Sequence, residues 1–247
     1  MEVTQDLGSL LSCDSVAQAE DSKATAAAWT ALARGRRSTR RFMDKAVPKA
    51  WLEHMLSEAR CAPSGANLQP GEIVSVEGFA RERLSKMLVN AYREHAPAAD
   101  DYTYFPNPMP MTLRRRQVAA AQALYGALGA AREDKVARNA QFERNFHFFD
   151  APIALIVTID NRLGSGCFMD LGMCLYGIML AAAARGLGSC AIGALAAYPH
   201  IVRDALSLKP DHSIVCGLAI GYADPLAPEN GIRTERRAVS SFLRIAG

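Results

Sequence analysis

The apolar positions along the chain predict a mixture of amphipathic helices and short strands. Residues 26–34 are alanine-rich, and residues 47–59 carry apolar side chains at the three- and four-residue spacing of a helix. Residues 73–76, 154–159 and 213–222 are apolar runs of strand length that contain β-branched side chains. Neither an internal repeat nor a break in composition separates these parts. The predicted fold is therefore a single domain of the α+β class.

A further helix, predicted over residues 171–184, is apolar on every side. It lies between Asp170 and Arg185 and is shorter than the roughly 20 residues needed to cross a bilayer. A helix without a polar face is buried in a core or in a contact between subunits. The long polar and alanine-rich stretch 79–149 is interrupted at residues 102–110 by prolines that forbid a continuous helix.

Composition places the protein among ordinary globular proteins. Half of its 247 residues are hydrophobic, and the net charge of only +3 argues against a disordered chain or a nucleic-acid coat. Six cysteines occur without a Cys-x-x-Cys pair, so we predict no metal site and expect reduced, mostly buried thiols in a cytoplasmic protein. Residues 1–25 are acidic and lack the basic segment of a secretory signal. We interpret them as a mobile tail before one domain over residues 26–247.

Residues 33–42 concentrate five arginines around a Ser-Thr pair. In an extended backbone, Arg36, Ser38 and Arg40 project from one face and Arg37 from the other. Two guanidinium groups that flank a hydroxyl can bind a compact oxyanion such as a phosphate monoester. The same pattern is equally consistent with a basic surface exposed to water.

Two further segments carry groups that can contact a ligand. The loop 62–70 places Asn67 and Gln69 two residues apart. Their carboxamides can read a flat heterocycle, or alternatively can satisfy the backbone of their own turn. Residues 186–194 are mainly glycine and other small residues, which let backbone N–H groups approach a ligand. A glycine here can equally cap the preceding helix.

Four motifs, taken in order, resemble the FMN-dependent nitroreductase family. They are Arg-Arg-Ser-x-Arg-x-Phe, Ala-Pro-Ser-Gly-x-Asn-x-Gln-Pro, Asp-Leu-Gly before the apolar helix that ends in Gly-Leu-Gly-Ser-Cys, and Gly-Tyr-x-Asp-Pro with a late Arg-Thr-x-Arg-Arg. The similarity spans roughly residues 30–245 and is greatest to the branch with nitrobenzoate and nitrobenzene reductases. It implies a central β-sheet flanked by helices, in a domain-swapped homodimer with FMN at the subunit interface.

The same resemblance implies roles for individual residues in FMN binding. The N-terminal arginines and the late ones match contacts to the phosphate and ribityl chain, and the loop amides match contacts to the flavin. Pro63, Ser64 and Gly65 match a loop that reaches the flavin from the partner subunit. Backbone N–H groups of Gly193 and Ala194 match donors facing flavin N5 and O4, where they stabilise the charge of the reduced ring. The implied cofactor-binding residues are Arg36, Arg37, Ser38, Arg40, Pro63, Ser64, Gly65, Asn67, Gln69, Ile192, Gly193, Ala194, Arg236 and Arg237.

The implied reaction is a ping-pong reduction of nitroaromatic or quinone-type acceptors, with NADPH or NADH as electron donor. The cofactor carries the reactivity in such a cycle, so no catalytic side chain is predicted. Tyr102, Tyr104 and Phe105 are expected to roof the acceptor site. Alternatively, these aromatic side chains only pin a long loop to the surface.

Two departures from the family pattern bear on the choice of acceptor. Gly71 follows Gln-Pro where the family commonly has tryptophan, and is expected to open space for substrate or to loosen the entry to the next strand. Residues 191–194 read Ala-Ile-Gly-Ala where many relatives of this branch have Pro-Gln-Ala-Ala. The alternative function is therefore a specialised biosynthetic FMN oxidoreductase, acting by enone reduction or ring dehydrogenation with poor nitro reduction.

A reading from a different class is a non-catalytic binder of nucleic acid or phosphoprotein. It would use the basic clusters at residues 36–41, 114–116 and 233–237. The small net charge and the lack of aromatic residues between the basic ones argue against it. We therefore expect a homodimer that acts on a small molecule, with neither nucleic acid nor membrane as partner.

Overall fold

The computed structural model describes the backbone of residues 8–246 and the side chains of residues 21–246, in two units that divide between Arg36 and Arg37. The first unit contains helix α1 (Gly8–Gly35). The helix predicted over residues 26–34 thus begins earlier, because no proline precedes it that would interrupt its backbone hydrogen bonds. Residues 1–7 of the predicted tail lie outside the described residues, and the mobility of the tail remains a prediction.

The second unit is built around an antiparallel sheet of four strands. The strands are β1 (Glu72–Ser75), β2 (Ile153–Asp160), β3 (Gly188–Ile192) and β4 (His212–Gly221), in the spatial order β1-β2-β4-β3. The sequence predicted β1, β2 and β4 within one or two residues. It did not predict β3, whose residues are mostly small and which pairs with β4 along its whole length.

Helices and short turns surround this sheet. The helices are α2 (Lys49–Ala59), α3 (Gly78–Arg93), α4 (Met111–Ala127), α5 (Lys135–Glu143), α6 (Ser165–Ala184) and α7 (Pro199–Leu206). The 3-10 turns are Gly65–Asn67, Phe148–Asp150, Gly193–Ala197, Pro228–Asn230 and Val239–Ser241. The prolines between α3 and α4 separate the two helices, as the sequence predicted.

Helices cover both faces of the sheet, which confirms the predicted α+β architecture. Leu155 of β2 packs in one apolar cluster with Met55 of α2 and Ile178 of α6. The next residue, Ile156, packs in a second cluster that includes Leu84 of α3. Successive side chains of a strand point to opposite faces, so β2 joins the two halves of the core. All ten residues of β4 are buried between them.

Helix α6 keeps part of its apolar surface exposed. Ala182 is buried, but Met169 is 66% exposed, and Met173 and Tyr176 are also exposed. The helix begins at Ser165, earlier than predicted, and by length and composition it is able to cross a bilayer. Core helices of soluble proteins meet the same criterion. One face of this helix is thus left uncovered within one chain.

Five cysteine side chains are described, those of Cys61, Cys167, Cys174, Cys190 and Cys216. Only Cys190 and Cys216 are buried, whereas Cys167 and Cys174 are half-buried and Cys61 is exposed, so the expectation of mostly buried thiols is met only in part. Burial raises the pKa of the Cys216 thiol to about 12 and also raises the pKa of Cys174. Neither of these two thiols is therefore a reactive thiolate at neutral pH.

Candidate cofactor-binding site

An extended segment, residues 37–42, lies beside strand β3. Ser38 forms a parallel bridge with Ser189 of β3, and the N–H of Thr39 donates to the carbonyl oxygen of Ser189 over 3.0 Å. Thr39 is buried, and its side chain occupies the space where a Cβ at position 188 would lie. Gly188 therefore lets the segment approach the strand closely. The extended backbone that the sequence analysis required at Ser38 is present.

Side chains in this segment differ in whether they have a partner. Arg41 Nε lies 3.5 Å from Glu229 Oε1. The guanidinium group of Arg40, in contrast, makes no hydrogen bond or ion pair with any residue that the structure describes. Ser38 and Arg40 are both half-buried and share a face of the extended backbone. A hydroxyl beside a guanidinium that lacks an acidic partner fits the phosphate group of a cofactor.

Arg36 and Arg37 stand on either side of the division between the two units. Arg36 ends the first unit, where its N–H donates to the carbonyl oxygen of Leu32 over 2.9 Å. Arg37 begins the second unit and is exposed. Within the second unit, the basic stretch therefore contributes Ser38 and Arg40 on one face, and Arg37 beside them.

Strand β3 leads directly into the turn Gly193–Ala197. Ile192, which ends the strand, is buried. Among the described residues, no atom lies within 4 Å of the position that a Cβ would take at Gly193, so the space before this peptide is open. Ser189 and Gly193 are four residues apart on the strand, a separation of about 13 Å. One elongated ligand can therefore reach from Ser38 to the backbone of Gly193 and Ala194.

The amides of the loop 62–70 pair with each other. Gln69 Nε2 donates to Asn67 Oδ1 over 3.1 Å, and Arg60 donates to Gln69 Oε1 over 2.7 Å. The N–H of Gln69 also donates to the hydroxyl oxygen of Ser64 over 3.0 Å. The loop thus satisfies several of its own polar groups, mostly through side chains; the one contact of an amide side chain to the turn's backbone among the described residues is that of Gln69 Nε2 with the carbonyl oxygen of Asn67, over 3.4 Å. Its exposed amides keep further donors and acceptors for a ligand.

The backbone of this loop is strained. Ala66, Asn67 and Gln69 have φ values of 50°, 57° and 47°, a region that costs about 1–3 kcal/mol for each residue other than glycine. Asp170, a buried residue of α6, accepts a hydrogen bond from the N–H of Gly65 over 3.0 Å. The carboxylate of Asp170 thus anchors the loop to α6. Strain of this kind concentrates at functional sites.

A cleft of about 460 Å³ separates the loop from α2 and α6, and Ser64 and Asp170 contribute to its polar lining. Gly71 also lines it, with φ at +96°. A Cβ at this position would lie 2.6 Å from Leu171 Cδ1 and 3.2 Å from the carbonyl oxygen of Thr158. A Cβ at position 71 would therefore collide with Leu171, and the expectation that glycine opens space for substrate here stays a prediction.

The predicted aromatic residues form a cluster at the N-terminal end of α6. The hydroxyl of Tyr102 donates to the carbonyl oxygen of Val215 over 2.8 Å, and its ring centroid lies 5.1 Å from that of Phe168. Burial raises the pKa of Tyr102 well above its ordinary value. Tyr104 and Phe105 stack edge to face at 4.6 Å and are both exposed. Tyr102 therefore pins the loop, while its two neighbours present free aromatic surface.

The late arginines lie in the exposed C-terminal segment. Arg236 donates to the hydroxyl oxygen of Thr234 over 2.7 Å, and Arg237 Nε lies 3.4 Å from Ser241 Oγ. No hydrogen bond among the described residues joins either arginine to the 37–42 segment. The structure thus brings Ser38, Arg40, Gly193 and Ala194 to one strand. It leaves the loop 62–71, the aromatic cluster and the late arginines as separate groups.

Three polar residues that support these groups were given no role by the sequence analysis: Asp170 and Asn230, which are buried, and Asp101, which is half-buried. Asp170 holds the loop, and Asn230 binds the backbone of the basic segment. Asp101 accepts hydrogen bonds from Arg203 over 2.6 Å and from the N–H of Ile214 over 2.9 Å, next to the aromatic cluster. Isolated acidic or amide residues in loops carry no periodic signal. The sequence marked Asn230 by its Pro-Glu-Asn-Gly turn and Asp170 by the Asp-Leu-Gly motif, but neither mark indicated what the side chain binds.

Comparison with known proteins gives the evolutionary origin of this arrangement. The sequence model of the nitroreductase family matches residues 33–222, which is more than half of the chain. The chain belongs to the nitroreductase family. It is 37% identical over 213 residues to the nitrobenzene nitroreductase of Ectopseudomonas oleovorans, covering 85% of this chain and 93% of that relative. It is 32% identical over 217 residues to a 4-nitrobenzoate reductase of Pseudomonas putida, covering 88% and 95%.

Solved nitroreductases share the fold over almost their whole length. The FMN-dependent nitroreductase NfnB from Mycobacterium smegmatis, solved in complex with NADPH, superimposes with a TM-score of 0.85 at 30% identity. The superposition covers 90% of this chain and 100% of that one. The nitroreductase fold expected from the four motifs is thereby confirmed. Most of α1 and the late arginines lie outside the range matched by the family.

Proposed function

We propose that this nitroreductase-family protein is an FMN-dependent oxidoreductase that uses NADPH or NADH to reduce nitroaromatic or quinone-type acceptors. The observation that carries the proposal is that Ser38 pairs with a strand leading to the open backbone of Gly193, next to Arg40, whose guanidinium has no partner among the described residues. Relatives named for the reduction of nitrobenzene and nitrobenzoate support the acceptor class. These names also favour simple nitroaromatics over the biosynthetic alternative.

The residues of the chain have distinct tasks in this function. Arg40 and Ser38 bind the phosphate of FMN, with Arg36 and Arg37 nearby in the sequence. The N–H groups of Gly193 and Ala194 face the ring and stabilise the negative charge that develops on reduction. The remaining proposed contacts come from Pro63, Ser64, Gly65, Asn67, Gln69, Ile192, Arg236 and Arg237.

When bound, FMN supplies hydride and electron transfer in two half-reactions, one with the nicotinamide and one with the acceptor. The protein positions both reactants at the same face and needs no nucleophile or dedicated acid.

The functional unit that we propose is a homodimer in the cytoplasm. The exposed Met169, Met173 and Tyr176 of α6 give a second subunit an apolar surface to cover. Phe242 and Ile245 near the C-terminus are more than 80% exposed and offer a second subunit further apolar side chains. A partner subunit would also bring its loop 62–71 to the strand β3 site, to which no described hydrogen bond joins it within one chain.

The visible absorption spectrum of the purified protein tests this function most directly. We expect a bound flavin spectrum that bleaches with NADPH or NADH without oxygen and recovers when nitrobenzene is added. Bleaching without recovery would contradict the nitroaromatic acceptor. A colourless protein that does not bind added FMN would contradict the cofactor itself.

Arg40→Ala is expected to weaken FMN binding about 10- to 150-fold, because a hydrogen bond to a charged group contributes about 1.5–3 kcal/mol. The change removes the guanidinium proposed to contact the phosphate. Titration of the apoprotein with FMN, followed by flavin fluorescence, measures the loss. Arg83→Ala, an exposed arginine on α3, is the control and should leave the affinity unchanged. Equal affinities for both variants would sink the phosphate assignment.

Tyr104→Ala and Phe105→Ala are each expected to lower kcat/KM for nitrobenzene about three- to tenfold. The reason is that contact between the acceptor and each exposed ring would bury apolar surface of both. FMN affinity should not change. Phe79→Ala removes a ring that is 78% exposed on α3 and serves as the control. Steady-state kinetics with nitrobenzene and with a quinone measure the effect. Unchanged kinetics for both acceptors would show that these rings do not roof the site.

A further inference from the structure

The side chain of Asn230 is almost completely buried against the backbone of the basic segment. It is 3% exposed and lies at the end of a short 3-10 turn. Its Oδ1 accepts hydrogen bonds from the N–H of Arg40 over 2.8 Å and of Arg41 over 3.2 Å. Its Nδ2 donates to the carbonyl oxygens of Arg41 over 2.7 Å and Asp224 over 2.9 Å. The oxygen and both N–H groups of the carboxamide therefore form hydrogen bonds with backbone atoms.

Among the described residues, Asn230 is the one that binds the backbone N–H of Arg40. On one side, the N–H of Thr39 is bound to β3, and on the other, the N–H of Met43 donates to the carbonyl oxygen of Tyr222 over 2.9 Å. Between Thr39 and Met43, the N–H of Arg40 donates its hydrogen bond to Asn230. The direction of the Arg40 side chain is set by the orientation of this peptide, and hence by the carboxamide.

The turn that carries Asn230 is itself held in the protein interior. Its neighbour Glu229 is 2% exposed and accepts a hydrogen bond from Arg144 over 3.0 Å. Arg144 also donates to the carbonyl oxygen of Phe149, which is fully buried. Asn230 is therefore a fixed point, and the peptide of Arg40 is aligned to it.

We propose that Asn230 is a positioning residue for phosphate recognition: it fixes the Arg40 peptide so that the Arg40 guanidinium faces the cofactor phosphate. This inference rests on the proposed function, because it requires that Arg40 binds FMN through that phosphate. Asn230 acts only through Arg40, since its own hydrogen-bonding groups are occupied. Its loss should therefore affect phosphorylated flavin and spare flavin without a phosphate.

The test compares FMN with riboflavin, which lacks the phosphate, on the apoprotein of the wild type and of Asn230→Ala. Flavin fluorescence titration gives both affinities. We expect the affinity for FMN to fall about tenfold or more, and the affinity for riboflavin to stay within about twofold. A merely structural role would weaken both ligands by the same factor, and that result would overturn the proposal.

Two further variants sharpen the test. Arg40→Ala and the double variant Arg40→Ala/Asn230→Ala should bind FMN equally, because Asn230 has no effect once its target is gone. Independent, additive losses would contradict the proposal. Asn145→Ala is the matched control, since Asn145 also bonds a backbone carbonyl, that of Phe142 over 2.7 Å, away from the segment. Its ratio of FMN to riboflavin affinity should equal that of the wild type.

The outcomes separate this proposal from the proposed function. If the wild type does not prefer FMN over riboflavin, or if Arg40→Ala keeps the preference, the phosphate site itself is refuted. If Arg40→Ala loses the preference and Asn230→Ala keeps it, only the positioning role is refuted. Should Asn230→Ala fail to fold, Asn230→Ser is measured instead. Its hydroxyl is too short to replace the carboxamide, so the same loss is expected and retention of the preference overturns the proposal.

Discussion

Replacing Arg144 with alanine is expected to lower the free energy of unfolding by about 3–5 kcal/mol, the usual cost of leaving a buried charge without its partner. The carboxylate of Glu229 is 2% exposed, and Arg144 Nη1 lies 3.0 Å from its Oε1. After the substitution, the one cation beside this carboxylate within the described part of the chain is Arg41, whose Nε lies 3.5 Å away on a half-exposed side chain. Urea unfolding of the apoprotein at fixed protein concentration measures the difference.

The control for this prediction is a second Arg–Glu pair, which lies on the exposed surface of the protein. Arg93 pairs with Glu143 over 2.7 Å, but its side chain is 64% exposed, so Arg93→Ala should change stability little. The double variant Arg144→Ala/Glu229→Gln should recover part of the stability, because no buried charge then lacks a partner. If Arg144→Ala is no more harmful than Arg93→Ala, the Glu229 pair does not stabilise the fold.

The sequence predicted those parts of the fold whose residues carry a strong local pattern. Strands β2 and β4 are continuous apolar runs, and α2 shows clear helical spacing, so their bounds were predicted closely. Strand β3 has no such pattern. Its residues Gly188–Ile192 are mostly small, and they form a strand because β4 and the extended segment at Ser38 pair with them. Such pairing depends on residues that are distant in the chain, which periodicity does not detect.

In the candidate site, too, the sequence indicated the local motifs but not the contacts between residues that are distant in the chain. The basic stretch and the loop amides were visible as local motifs. The contacts that fix them were not visible, because Asn230 lies 190 positions from Arg40 and Asp170 lies 105 positions from Gly65. Asp101 likewise binds Ile214 at a separation of 113 positions. A buried carboxylate or amide with one distant partner looks like any other polar residue until the partner is known.

Gly71 is a departure from the family pattern that the local structure explains. The absence of the usual tryptophan suggested open space, yet the side chain of Leu171 fills the position where a Cβ would lie. The residue also has φ at +96°, a backbone conformation that residues other than glycine rarely adopt. The glycine is therefore required by the local backbone and by Leu171 together. A ring restored at position 71 would have to displace Leu171.

Gly71→Ala is accordingly expected to lower the free energy of unfolding by about 2–5 kcal/mol, the sum of backbone strain and overpacking. Gly129→Ala separates the two costs, because Gly129 also has positive φ, +65°, but no atom lies within 4 Å of its Cβ position among the described residues. Gly129→Ala should lower the free energy of unfolding by the strain alone, about 1–3 kcal/mol. Urea unfolding measures both variants.

The companion variant Gly71→Ala/Leu171→Ala tests the cause. Removing the Leu171 side chain relieves the contact at 2.6 Å, so the alanine at position 71 should cost less in that background than in the wild type. An equal cost in both backgrounds would mean that strain alone makes glycine necessary. In the expected case, Leu171 and Gly71 together set the shape of the cleft that both residues line.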